Sequence, residues 1–470
     1  MTSQAPTIKT LGFADLFFYA ASAALSIRWF STAAAAGPAS LPLWILAVAL
    51  FSGPLIVATA ELTTRFTGEG GLYEWTGETF GPFWGFLCGW LYWMSNLPFF
   101  SGTLVFMLNL LAVAFGPAGK PLLDHPWLFT AVATALSVGV GLLHYRGLGT
   151  GKWLSTIGGV SNLGLIGLLI LTAVGAGLKH GSATDFVHAD YRPPMGASFA
   201  ILWATMVFGV AGTESLAFLR NDVRGGMKTV VGVLALFALV QIVFFLAGTG
   251  SMLVILSPLA ATRLSGLPDA IILGLRTLGL GPLAPVILIA GALCMLGSYS
   301  AWFGVGARLP FAAGIDAYLP RAFGRRDPKT GAPVVSIAVQ TVIVALMVML
   351  SQAGDTLKGA YDFLVSMTVL SYTLPFPFLF VVFLVVQGRS APAGAWRMPG
   401  GPRLAVVVGA VGLLSTVIAI ACTLVPSPDS KNPAAEAAKL VFASAVLILS
   451  GVAFYLAARW RAGARAKVPA

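Results

Sequence analysis

The chain has 470 residues, 57% of them hydrophobic and only 10% charged. Soluble domains carry about 25% charge, so a chain this apolar cannot cover a water-facing surface, and it reads as an integral membrane protein. The net charge of +11 is the excess that orients a membrane protein and meets anionic lipid; it does not point to nucleic acid.

A bilayer crossing needs about 20 apolar residues. Windows of that kind fall at 11–37, 42–64, 83–115, 127–145, 153–178, 196–219, 228–256, 283–312, 333–352, 360–387, 403–425 and 435–459. Most of the 28 lysines and arginines lie in loops on one side of this layout, which places both termini in the cytoplasm and favours an even number of spans. No cleavable leader is evident at the first apolar segment. The expected location is the cell membrane, with anionic lipid against the basic cytoplasmic face and the tail 460–470.

Span one carries Arg28, within Ser26-Ile27-Arg28-Trp29, followed by small residues up to Gly37-Pro38. A charge at mid-membrane costs about 2.5–3.5 kcal/mol on insertion scales, so such an arginine either faces a cavity or a partner, or snorkels to the surface. At the end of span two, Glu61 and Arg65 stand four apart, a helix-end ion pair or gate latch. The next stretch, through Leu72-Tyr73 to Phe80-Gly81-Pro82, suggests a short helix at the membrane interface. Span three brings Trp90, Tyr92 and Trp93. Most aromatic residues at such depths pack or line the interface, so spacing alone does not select a binding residue.

Span six carries Phe208-Gly209-Val210-Ala211-Gly212-Thr213-Glu214-Ser215. Like span one, it combines small residues with a charge near mid-membrane, and the two lie five spans apart. Interrupted helices at corresponding positions of two halves point to a transporter binding site. There, unpaired N–H groups suit a carboxylate and freed carbonyls suit an ammonium. The alternative is that the glycines only let helices pack closely. Glu214 either takes and releases a proton during transport, hydrogen-bonds a gate, or is a fixed partner for Arg28 or for freed backbone. A short amphipathic helix is expected at 267–281, and Trp302 falls in span eight. Cys88, Cys294 and Cys422 read as buried free thiols. The four histidines lack metal-ligand spacing. Gly149-Thr150-Gly151-Lys152 lacks the rest of a phosphate loop. The expectation is therefore no enzyme, no metal and no cofactor.

Three motifs resemble the amino acid–polyamine–organocation superfamily of transporters, in its amino acid permease or glutamate–GABA-antiporter-like branch. They are Gly70-Gly71-Leu72-Tyr73 through Phe80-Gly81-Pro82-Phe83-Trp84-Gly85-Phe86 with Gly89-Trp90; Phe208 to Ser215 with Asn221-Asp222-Val223-Arg224; and Arg308-Leu309-Pro310-Phe311 through Tyr318-Leu319-Pro320, ending at Gly331-Ala332-Pro333. The resemblance implies an all-α fold of 12 transmembrane helices. In it, 11–178 and 196–387 form an inverted five-plus-five repeat with broken helices 1 and 6, 403–459 is appended, and 1–10 and 460–470 are cytoplasmic. It implies a substrate site between spans one and six, flanked by spans three, eight and ten. The residues expected there are Ser26, Ile27, Arg28, Trp29, Tyr92, Phe208, Gly209, Gly212 and Trp302, with Glu214, Glu61 and Arg65 in gating or proton coupling.

The family's Gly-Ser-Gly-Ile-like break aligns here with Ser26-Ile27-Arg28-Trp29, which loses two glycines and gains a charge. Arg28 then clamps a substrate carboxylate, replaces the sodium ion that coupled relatives bind nearby, or pairs with Glu214. The function implied is secondary active transport of a zwitterionic or acidic amino acid by alternating access, proton-coupled or by exchange, in a monomer or homodimer. A polyamine or amine permease and a membrane amino-acid sensor are the alternatives.

Overall fold

The computed structural model describes residues 11–68, 71–146, 148–261, 264–312, 318–352, 357–425 and 433–466. Gly70 of the first motif, 313–317 of the third, and the ends 1–10 and 467–470 lie outside these.

Span one is two helices, α1 (Phe13–Ala24) and α2 (Arg28–Ala35). A tight turn at Gly37–Ala39 leads into span two, α3 (Ser40–Ala47) and α4 (Gly53–Arg65), joined by a π-helical turn at Val48–Ser52. The expected interfacial helix is α5 (Leu72–Phe80). It ends at Gly81, whose φ of 94° suits only glycine and turns the chain directly into α6 (Pro82–Ala114). At 33 residues α6 is about 50 Å long, well beyond a hydrocarbon core of about 30 Å, so it crosses at a tilt. Next come the short α7 (Lys120–Asp124), then α8 (Pro126–Tyr145) and α9 (Leu148–His180). Span six is α10 (Ala197–Gly209), a break, and a 3-10 stretch over Thr213–Asp222. Then follow α11 (Met227–Ile255), the expected amphipathic helix α12 (Gly266–Thr277) and α13 (Ala284–Ala312). The chain closes with α14 (Val334–Gln352), α15 (Leu357–Thr373), α16 (Phe376–Val386), α17 (Gly401–Thr423) and α18 (Pro433–Ala466).

Among the described residues, 10 helical runs are long and apolar enough to cross a bilayer. Phe13–Ala24 and Val334–Met349 are shorter apolar helices. Together they fall on the windows read from the sequence. Two details differ from expectation. The break in span one is Leu25-Ser26-Ile27, one residue earlier than the aligned stretch, so Arg28 opens α2. Span ten is itself interrupted, by a turn at Leu374-Pro375 between α15 and α16; the ring of Pro375 cannot continue the preceding helix.

Burial separates core from periphery. The central windows of Pro82–Ala114 and Ala197–Arg220 are each 89% buried inside the protein, against 17% for Ala437–Arg461, whose apolar side chains are left for lipid. The long α13 packs along both α6 and α9. Small residues make that possible: a Cβ on Gly158 of α9 would lie 2.5 Å from Cα of Gly297 on α13. Either glycine changed to alanine would force these backbones apart.

Candidate functional site

The two breaks face each other, and each is braced by one buried carboxamide from a neighbouring helix. In span one, α1 ends when the Leu25 N–H bonds Ala21 O at 3.1 Å. The carbonyls freed there are taken up by side chains. Asn162 Nδ2 of α9 donates to Leu25 O at 3.0 Å and Ala21 O at 3.5 Å, and Trp302 Nε1 of α13 donates to Ala23 O at 2.9 Å. In span six, Gly212 takes a φ of 112°, a conformation open to glycine and strained for other residues. Gln241 Nε2 of α11 donates to Val210 O at 2.9 Å, and Ser52 Oγ donates to Gln241 Oε1 at 2.6 Å. A broken helix persists in a membrane only where its freed groups are re-satisfied in this way.

Glu214 closes the second break. Its Oε2 accepts the Gly212 N–H at 2.9 Å. Its Oε1 accepts the Tyr92 hydroxyl at 2.9 Å and the Tyr372 hydroxyl. The carboxylate thus pins span six to α6 and α15 through two phenols, and the phenol of Tyr19 on α1 lies within range of its charge. The Arg28–Glu214 pair, one of the three alternatives for this arginine, is not formed among the described residues. Tyr92, which binds Glu214, and Thr103, which binds Arg28, stand eleven residues apart on α6, about 16 Å along its axis.

Between these levels lies a small cavity of about 20 Å³, room for a single water. Trp29, Phe99, Phe208, Trp302 and Tyr372 supply its aromatic walls; Ser26, Asn96 and Ser298 are polar, and Ala23, Ala24, Gly209 and Ala211 complete it. The rings interlock edge to face. Trp29 meets Phe208 at 5.2 Å, Phe208 meets Tyr372 at 5.0 Å, and Trp302 meets Tyr372 at 5.6 Å. Of the expected residues, Ser26, Trp29, Phe208, Gly209 and Trp302 line this cavity. Ile27 is buried against α13 near Gly291. Tyr92 and Gly212 act one step back, through Glu214.

Arg28 also stands one step back. It is 1% exposed, which rules out snorkelling. Nη1 donates to Thr103 Oγ1 at 3.3 Å, while Nε and Nη2 have no hydrogen-bond partner among the described residues. The guanidinium lies 4.2 Å from the Trp29 ring centre and 5.0 Å from that of Phe99. Such cation–π contacts contribute about 2 kcal/mol when desolvated, less than the several kcal/mol by which burial penalises an ion.

Glu61 and Arg65 form a larger knot than a helix-end pair. Arg65 binds Glu61 through Nε at 2.9 Å and Nη2 at 2.7 Å, and reaches Val386 O at 2.9 Å through Nη1. Glu61 also accepts from Gln387 Nε2 at 3.0 Å and from the Met398 N–H at 3.1 Å. The end of α4 is thereby tied to the end of α16 and to the loop before α17. Nearby, the Tyr145 hydroxyl donates to Asp327 Oδ2 at 2.7 Å; this bond, with the N–H groups of Thr330 and Lys329, holds the Asp327 carboxyl down at about 2.

The sequence reading missed Asn96, Phe99, Ser298 and Tyr372 in the cavity, and Asn162 and Gln241 behind the breaks. The signal for the amides was present: each is a carboxamide inside an apolar span, which is rare unless it bonds something. Tyr372 had none, because its role follows from the turn at Leu374-Pro375.

A family model described as "Amino acid permease" matches residues 11–450. The chain belongs to the amino acid permease family. It is similar to an uncharacterized transporter of Legionella pneumophila, 23% identical over 441 residues, covering 93% of this chain and 92% of that protein. It is similar also to a protein of Escherichia coli K12 named as an arginine/ornithine antiporter, 26% identical over 433 residues, covering 86% and 91%. A third relative, from Lactococcus lactis, is named as an agmatine/putrescine antiporter, 23% identical and covering 89% and 88%. Among solved structures, a manganese transporter of Eremococcus coleocola superposes with a TM-score of 0.58 at 12% identity, over 95% of this chain and 93% of that one. That likeness speaks to the fold alone. This permease is a multi-pass membrane protein and a secondary transporter.

Proposed function

We propose that this permease carries an amino acid, zwitterionic or acidic, across the cell membrane by alternating access, in proton-coupled or exchange mode. The observation that carries the reading is the cavity walled by both helix breaks, with Ser26 and Ala211 in its lining and aromatic side chains around it. An ammonium suits the aromatic ring faces, and a carboxylate suits the positive end of the α2 dipole. At about 20 Å³ the cavity holds no amino acid, so the conformation is a closed one. Loading requires the aromatic walls to part.

Glu214 fits this cycle as a coupling group. A proton on its carboxyl displaces at least one of three donors and loosens the second break from α6 and α15. The Glu61–Arg65 knot fits a latch on the basic, cytoplasmic side. We read residues 11–178 and 196–387 as the two inverted repeats, with both termini inside, as loop charge favours. The relatives' names raise a second reading, a cationic amine substrate. Against it, no acidic side chain among the described residues lines the cavity, and Arg28 stands directly behind its wall.

The test is counterflow in proteoliposomes loaded with unlabelled amino acid or amine, with each labelled compound outside. Accumulation of labelled amino acid supports the reading. Accumulation of amines alone replaces it with the second reading, and binding without movement replaces it with a sensor.

A further inference from the structure

We infer that the Arg28 guanidinium is an anion subsite screened from the cavity by Trp29 and Phe99, so that the substrate is an amino acid with a second carboxylate. This rests on the amino acid reading above and names its substrate class.

The guanidinium is buried, and its Nε–H and one of its amino groups point at no acceptor among the described residues. Arg28 takes no part in the Arg65–Glu61 and His188–Asp185 ion pairs. Those two nitrogens, side by side on a planar fork, present the edge that receives both oxygens of a carboxylate. Gly102 of α6 faces the guanidinium with no side chain: a Cβ there would lie 3.7 Å from Nη1. Thr103 holds the other amino group in place, its hydroxyl fixed by a 2.7 Å bond to Phe99 O. The phenol of Tyr361 on α15 is the titratable group within electrostatic range.

The screen is one ring thick. Trp29 and Phe99 both lie against the guanidinium and line the cavity. The same movement that enlarges the cavity for an amino acid therefore uncovers the arginine. A neutral amino acid spends its single carboxylate at the α2 N-terminus beside Ser26 and leaves the fork empty. An acidic one fills both positions. A cationic amine meets like charge. Glu214 offers no competing partner, since its oxygens are occupied by Tyr92, Tyr372 and Gly212 at the far end of the cavity.

The test is counterflow in proteoliposomes with glutamate, aspartate, glutamine, asparagine, arginine and putrescine, on the full-length chain and on Arg28→Met and Arg28→Lys. The wild type is expected to prefer each acid over its amide by about tenfold or more, the ratio for one lost charged hydrogen-bond pair. In Arg28→Met that ratio falls to about one, and in Arg28→Lys it is intermediate. An acid preference that survives in Arg28→Met overturns the subsite. So does a wild type that moves amides or amines as well as acids, a result that needs no folded variant. Exchange of neutral amino acids without acid preference sinks this inference alone. Exchange of no amino acid sinks the amino acid reading as well.

Discussion

Glu214→Gln tests how the second break is held. The wild-type carboxylate accepts three hydrogen bonds, two from phenols on Oε1 and one from Gly212 N–H on Oε2. A carboxamide has one oxygen. If it faces the phenols, its NH₂ abuts the Gly212 N–H, leaving a buried donor unpaired at a cost of about 1–3 kcal/mol. If it faces Gly212, both phenols must turn to accept and lose their acceptor. In either case the surviving bonds fall from charge-assisted strength, about 1.5–3 kcal/mol, to neutral strength, about 0.5–1.5 kcal/mol. The sum is a penalty of about 2–5 kcal/mol on the closed conformation, or more than about twentyfold in its population. The substitution also mimics a permanently protonated Glu214. Counterflow measured from about pH 5 to 8 should become flat in Glu214→Gln, and a fluorescence melt of the purified protein should fall. A variant with the wild-type pH profile would refute the coupling role, and an unchanged melt would refute the bracing role.

Gln241→Leu leaves Val210 O and Ser52 Oγ without their shared partner, at a cost of about 1–3 kcal/mol each; the melt should drop and counterflow should be lost, whereas Gln241→Glu keeps only the acceptor and rescues neither. Glu61→Gln weakens the knot between α4, α16 and the loop before α17; cysteines placed at that face should react faster with a membrane-impermeant reagent applied from the cytoplasmic side. Asp327 titrates at about 2 rather than 3.8 because Tyr145 and the 329–330 backbone bond its charged form. Its contribution is therefore present above about pH 4 and lost as pH falls toward 2, so Asp327→Asn should lower the melt at neutral pH and flatten its acid dependence in that window.

How much of this was legible in the sequence depends on what periodicity reports. Apolar run length fixes which segments cross the membrane, and the twelve windows fall on the observed apolar helices. Small residues beside Arg28 and Glu214 marked both broken helices, because a charge at that depth needs freed backbone or a cavity. The direction of those side chains was not legible. Depth says nothing about which face of a helix a residue occupies, and α2 begins at Arg28, two residues earlier than the alignment supposed. Arg28 consequently lies behind Trp29 and Phe99, level with Thr103, far from Glu214. Tyr372 was hidden for a related reason: Pro375 sits in plain view, yet its turn aims a tyrosine only once α15 is packed on α6. Asn162 and Gln241 were readable in principle, since an amide in an apolar span implies a partner, although not which carbonyl it bonds.

The central claim is that substrate occupies the cavity between the two breaks. Ser298→Trp tests it most directly. Ser298 lines that cavity from the unbroken α13, so an indole there occupies the substrate's space while leaving the residues of both breaks and the bracing amides unsubstituted. The measurement is counterflow of labelled amino acids in proteoliposomes for wild type and Ser298→Trp, reconstituted at equal density with matching melts. The account predicts accumulation in the wild type and none in the variant. Equal accumulation in both would place the substrate elsewhere and contradict it.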